Sequence, residues 1–127
     1  MSKELDFKKI EEMLNTRYGV ENEDWSGVTY KNKYFAVKSP SGVSWTMFKT
    51  KQSDYFTKVA LNKNTNEKLE QLQNQVVIDC LITDIEGCAS VDEYLTLAMD
   101  KPRLAEIMWE QVSLCHNSGF DALKKTQ

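Results

Sequence analysis

A chain of 127 residues with 41% hydrophobic and 28% charged side chains has the composition of a folded domain, long enough to bury one core without disulfide staples. No apolar run approaches the roughly 18 residues of a membrane span, and the charged start Met-Ser-Lys-Glu-Leu-Asp lacks the apolar stretch of a secretion signal. The net charge of -3 hides a division: residues 1–27 sum to -3, residues 28–68 to +6 and residues 69–127 to -6, the middle block holding eight lysines against Asp54 and Glu67.

These features lead us to expect a single cytoplasmic domain over residues 1–127, with its three cysteines reduced. Phe7, Ile10, Leu14 and Tyr18 recur every three or four residues, which predicts a helix near 5–18 closed by Gly19 and accounts for the N-terminal part, residues 1–18. An Asn- and acid-rich loop follows to Gly27. Residues 28–49 then turn to β-forming side chains: Tyr30, Tyr34, Phe35, Val37, Val43, Trp45, Thr46 and Phe48. Ser39-Pro40-Ser41-Gly42 reads as a turn. It places Phe35 and Val37 on one hairpin strand and Val43, Trp45 and Met47 on the next, with a possible third strand at 27–30 joined through Lys31-Asn32-Lys33.

Helical signals return in residues 53–118. Ser53 or Thr50 can cap a helix containing Tyr55, Phe56, Val59 and Ala60. Asn64 and Glu67 form a capping-box-like pair ahead of the stripe Leu69, Leu72, Val76 and Cys80. Ser90 and Glu93 form a second box, for a helix near 91–99. The last helix starts at Asp100-Lys101-Pro102, carries Leu104, Met108, Val112 and Cys115 inward, and is expected to stop at Gly119, leaving 119–127 as a tail. The predicted class is α+β: an N-terminal helix, a small antiparallel hairpin or three-stranded meander, then a mostly helical C-terminal half.

Little in the chain points to catalysis. Cys115 and His116 are adjacent, but neighbouring helical residues point about 100° apart and their side chains seldom meet. Cys80, Cys88, Cys115 and His116 are zinc-type ligands without the paired spacing of a zinc knuckle. The five glycines form neither a phosphate loop nor a dinucleotide fingerprint. We therefore assign no catalytic, cofactor-binding or metal residues and expect a non-enzyme. Charge segregation favours oriented association with a charged partner, or contact between copies, over a small-molecule site. The candidate partner-binding residues are Lys31, Lys33, Lys38, Lys49 and Trp45. Lysines interleaved with aromatics also suit single-stranded nucleic acid, against which stand the absence of arginine in this block and the acidic whole.

The order of parts resembles a known family. A hairpin-like stretch (Tyr34-Phe-Ala-Val-Lys-Ser-Pro-Ser-Gly-Val-Ser-Trp45) precedes a hydrophobic helix ending in cysteine (Gln75-Val-Val-Ile-Asp-Cys-Leu-Ile82). A further helix follows, then a proline-started one ending in Asn117-Ser-Gly-Phe120. Over residues 28–123 this layout resembles the tail assembly chaperones of long-tailed bacteriophages and prophages. The resemblance implies a non-enzymatic protein in the cytoplasm of a bacterial host that binds the tape-measure protein and the major tail protein during tail morphogenesis. The alternative is a small phage or bacterial regulator binding nucleic acid, or a nucleic-acid-binding protein, through its lysine-rich sheet.

Overall fold

The computed structural model describes residues 6–64 and 68–125, with side chains described as far as Ser118. Among these residues the fold is α+β: one helix, a two-stranded antiparallel hairpin, then four helices. Helix α1 (Phe7–Tyr18) starts at Asp6, whose Oδ1 accepts from the backbone N–H groups of Lys8 and Lys9 at 3.1 and 3.3 Å. It ends where Gly19 takes a φ of 122° and donates its N–H to the Asn15 carbonyl at 3.2 Å.

Strand β1 (Trp25–Tyr30) pairs with β2 (Lys33–Lys38) in a register that sets Trp25 opposite Lys38 and Tyr30 opposite Lys33. Lys31 and Asn32 at the turn both have positive φ, 47° and 61°, as a two-residue type I′ loop requires. Gly27 is needed on β1, since a Cβ there would lie 2.5 Å from the Tyr34 ring and 2.7 Å from the Phe35 carbonyl oxygen. The free edge of β2 is covered by the loop after α3 (Leu69–Cys80). Ile82 N–H donates to the Ala36 carbonyl at 2.8 Å and Ala89 N–H to the Tyr34 carbonyl at 2.9 Å. Such cover removes a template for edge-to-edge pairing.

The hairpin therefore lies one strand earlier than expected: the third strand expected at 27–30 is its first strand, and among the described residues no strand follows the Ser39–Gly42 turn. Residues 43–49 instead open helix α2 (Gly42–Ala60), with the Ser41 hydroxyl accepting from Ser44 N–H at 3.1 Å as its N-cap. The β propensity of Val43, Trp45, Thr46 and Phe48 loses to a cap and to a helical stripe, Trp45, Phe48, Gln52, Tyr55 and Val59. Tyr55 and Val59 belong to this same helix, so neither Thr50 nor Ser53 starts one.

Helix α3 begins at Leu69. Gln71 Oε1 receives the Lys68 N–H at 2.9 Å, while Glu67 of the expected Asn64 box lies outside the described residues. The second box is present: Glu93 Oε1 accepts from Ser90 N–H and Ser90 Oγ from Glu93 N–H, both at 3.2 Å, opening α4 (Val91–Asp100). Helix α5 (Pro102–Lys125) starts at the expected proline but runs through Gly119 to Lys125, so the backbone shows no break where a tail was expected. A helical glycine costs only about 1 kcal/mol against alanine, and neighbouring helix formers can carry it.

Because β2 is buried on both faces, it separates two apolar clusters. Tyr34 and Ala36 face α1 with Ile10, Leu14, Trp25, Ile82, Ile85 and Cys88. Phe35 and Val37 face the helical half with Leu72, Val76, Cys80, Tyr94, Leu104, Met108 and Val112. The stripes expected on the third and last helices are thus inward except for Leu69, which is only partly buried at the start of α3.

Candidate functional site

The five residues singled out from the sequence do not share a sheet. Lys31 sits in the hairpin turn, its Nζ 5.5 Å from the Tyr30 ring centre. Lys33, on β2, pairs with Glu93 Oε2 at 3.3 Å and ties the hairpin to α4. Lys38 is exposed at the end of β2. Lys49 and Trp45 belong to α2, with the Lys49 Nζ 5.5 Å from the Trp45 ring centre. The charge-rich middle of the sequence is thus divided between the hairpin and a helix.

Trp45 is half-buried in an aromatic cluster that the sequence reading missed. Its ring stacks on His116 at 3.9 Å and 20°, and on Trp109 at 5.8 Å and 7°. Phe48 closes on Trp109 at 4.8 Å. Burial, and then the nearby Lys49 charge, hold the His116 imidazole below its ordinary pKa. With its ring already stacked against two partners, Trp45 is a poor platform for a nucleic-acid base.

Cys115 and His116 diverge as helical geometry predicts: the thiol enters the core and the imidazole the aromatic stack. Burial pushes the Cys115 thiol up to about 12, and Cys80 and Cys88 up to about 11, away from the thiolate form that nucleophilic or ligand chemistry uses. Among the described residues, no group of three His, Cys, Asp or Glu side chains is placed to hold a metal ion, and no helix is long and apolar enough to cross a membrane.

Helix α2 presents the most conspicuous surface. It has 19 residues, yet Phe48 is its one buried side chain. Val43 is 73% exposed and Met47 55%; Phe56 and Val59 are about half exposed. Val43, Met47 and Phe48 form one wall of a groove of about 230 Å³, opposite Leu72 and Val76 of α3. Its charged lining residues are Lys51 from α2 and Asp79 from α3. An apolar lining that also carries one cation and one anion suits an amphipathic helix, whose apolar face meets the apolar side chains while charges fix its register. The heptad-like pattern of α2 held the signal for this surface, but the β-rich composition of residues 43–48 masked it.

Comparison with protein-family models, with curated proteins and with solved structures finds no match to this chain.

Proposed function

We propose that this protein works by binding other proteins rather than by catalysis, as an assembly chaperone of the phage-tail kind that its layout resembles. The observation that carries this reading is the exposed apolar surface of α2, where Val43 and Met47 border the groove shared with α3. Tape-measure proteins are long and helix-rich, so a chaperone for them needs a site that accepts apolar helix faces without specific chemistry.

Burying a side chain such as Val43 or Met47 contributes about 1–3 kcal/mol. A few such contacts hold a client reversibly, as release into a growing tail requires. Methionine suits the task because its flexible thioether conforms to irregular partners. Lys51 and Asp79 orient the client, and the lysines of the hairpin offer a separate contact for an acidic neighbour such as a tail-tube subunit.

The reading is tested by co-expressing the chain with a candidate tape-measure protein and scoring client solubility. The wild type should keep the client soluble, and the double variant Val43→Glu/Met47→Glu, altered only at exposed positions, should fold but lose that effect. Equal client solubility with the wild type, the double variant and an empty vector would reject the proposal.

A further inference from the structure

Helix α2 outreaches its neighbour. At 19 residues against 12 for α3, it is about 10 Å longer at 1.5 Å per residue. Its first half lines the groove with the later turns of α3, and residues 61–68 connect the two helices directly. The pair therefore runs antiparallel, and the surplus of α2 projects at the end where α3 begins. Phe56, Val59 and Leu61 on this tip are 51%, 49% and 60% exposed. Lys58 and Lys63 accompany them.

A second groove opens at that same end. It has a volume of about 310 Å³, room for an aromatic side chain, and is walled by the first turns of α3 and α5 and the last of α4. Leu95, Ala98, Met99 and Pro102 make its apolar surface, and Met99 is 86% exposed. Its charged lining residues are Glu70 and Glu106. Tip and groove are thus complementary twice over, apolar with apolar and basic with acidic. Lys58 is held by Asp54 at 3.0 Å and Glu106 by Arg103 at 2.8 Å, whereas Lys63 and Glu70 have no ion-pair partner among the described residues.

We propose that the chain forms a two-fold dimer in which the α2 tip of each copy seats in the α3–α4–α5 groove of the other. Placing both patches at one end lets a single two-fold axis make both contacts and close the assembly. One tip alone is small beside the roughly 1,000 Å² expected of a specific interface, so the reciprocal contact matters and the dimer should dissociate on dilution. The second copy is favoured over an unrelated partner because tip and groove match within one chain. This proposal does not depend on the client groove near Val43 and Met47.

Sedimentation velocity of the full chain, from low micromolar to roughly 100 μM protein, tests it. The wild type should shift from monomer to dimer. Phe56→Glu sets an anion against the acidic groove, and Met99→Lys sets a cation against the basic tip. Both positions are exposed, so each variant should keep the wild-type circular dichroism and remain monomeric. Mixed together they should dimerise again, since the new Glu faces the new Lys at one contact and the other contact is wild type. A wild type that stays monomeric, a ladder of larger oligomers, variants that dimerise as well as the wild type, or a mixture that fails to pair would each overturn the proposal.

Discussion

The Trp45 indole lies on the His116 imidazole with 3.9 Å between ring centres, fastening α2 to α5. The sequence reading places Trp45 on a strand and gives His116 no partner, whereas the two rings meet in a structural contact. Truncation by Trp45→Ala should cost about 2–4 kcal/mol, somewhat under the value for a fully buried tryptophan because the ring is partly exposed. Chemical denaturation with tryptophan fluorescence, from Trp25 and Trp109 in the variant, as one probe and circular dichroism as the other measures the loss.

The same stack carries a pH dependence. The folded-state pKa of His116 is depressed, so the unfolded chain binds more protons between the folded value and the ordinary value near 6.5. Stability from this group is present above about pH 6.5 and is lost as pH falls below it. A melting temperature that drops from pH 7.5 to 5.5 in the wild type, with the drop reduced in His116→Phe, is the expected result. An unchanged slope in the variant would place the pH dependence elsewhere.

A carboxylate latch acts at lower pH. Tyr18 donates to Asp84 Oδ1 at 2.7 Å, and Arg17 reaches Asp84 Oδ2 at 3.4 Å, joining α1 to the loop that covers β2. The Tyr18 hydrogen bond, aided by Arg17, holds the Asp84 carboxyl below the usual range. Its contribution is present above about pH 4 and is lost as pH falls through the lowered value. Being exposed, the pair should add less than about 1 kcal/mol. Asp84→Asn should flatten the acid limb of the stability curve slightly and leave neutral-pH folding intact.

Leu72 is 6% exposed in the cluster between the hairpin and the helices. Leu72→Ala should cost about 2–5 kcal/mol. Thermal unfolding equal to that of the wild type would show that this side chain is not part of the core.

All three cysteines are buried, with thiols pushed above the ordinary range. At pH 8 the native chain should react slowly with Ellman's reagent and release three equivalents on unfolding in guanidinium. Fast stoichiometric reaction of Cys115 in the native state would contradict its placement.

Much of this architecture was legible because periodicity and caps agreed. The stripes Leu72–Val76–Cys80 and Leu104–Met108–Val112 are inward, the Ser90–Glu93 box is formed, and Pro102 opens the last helix. Reading failed where local propensity and period disagreed. Val43 to Phe48 look like a strand residue by residue, but Ser41 caps a helix whose stripe continues to Val59. That misreading also hid the candidate surface: on a strand Val43 and Met47 share a face with Trp45, whereas on α2 they are exposed and Trp45 is partly buried. The aromatic cluster joins Trp45 of α2 to Trp109 and His116 of α5; the last two lie two turns apart on one helix face, but no spacing rule connects either to Trp45.

The central claim, that α2 and its groove with α3 are where another protein docks, is tested most directly by amide hydrogen exchange on the soluble complex with a tape-measure client. The account predicts slowed exchange in residues 43–51 and 72–79 relative to the free chain, with the Lys31–Lys38 hairpin little changed. Protection confined to the hairpin, or absent from α2 and α3 in a complex of proven stoichiometry, would contradict it.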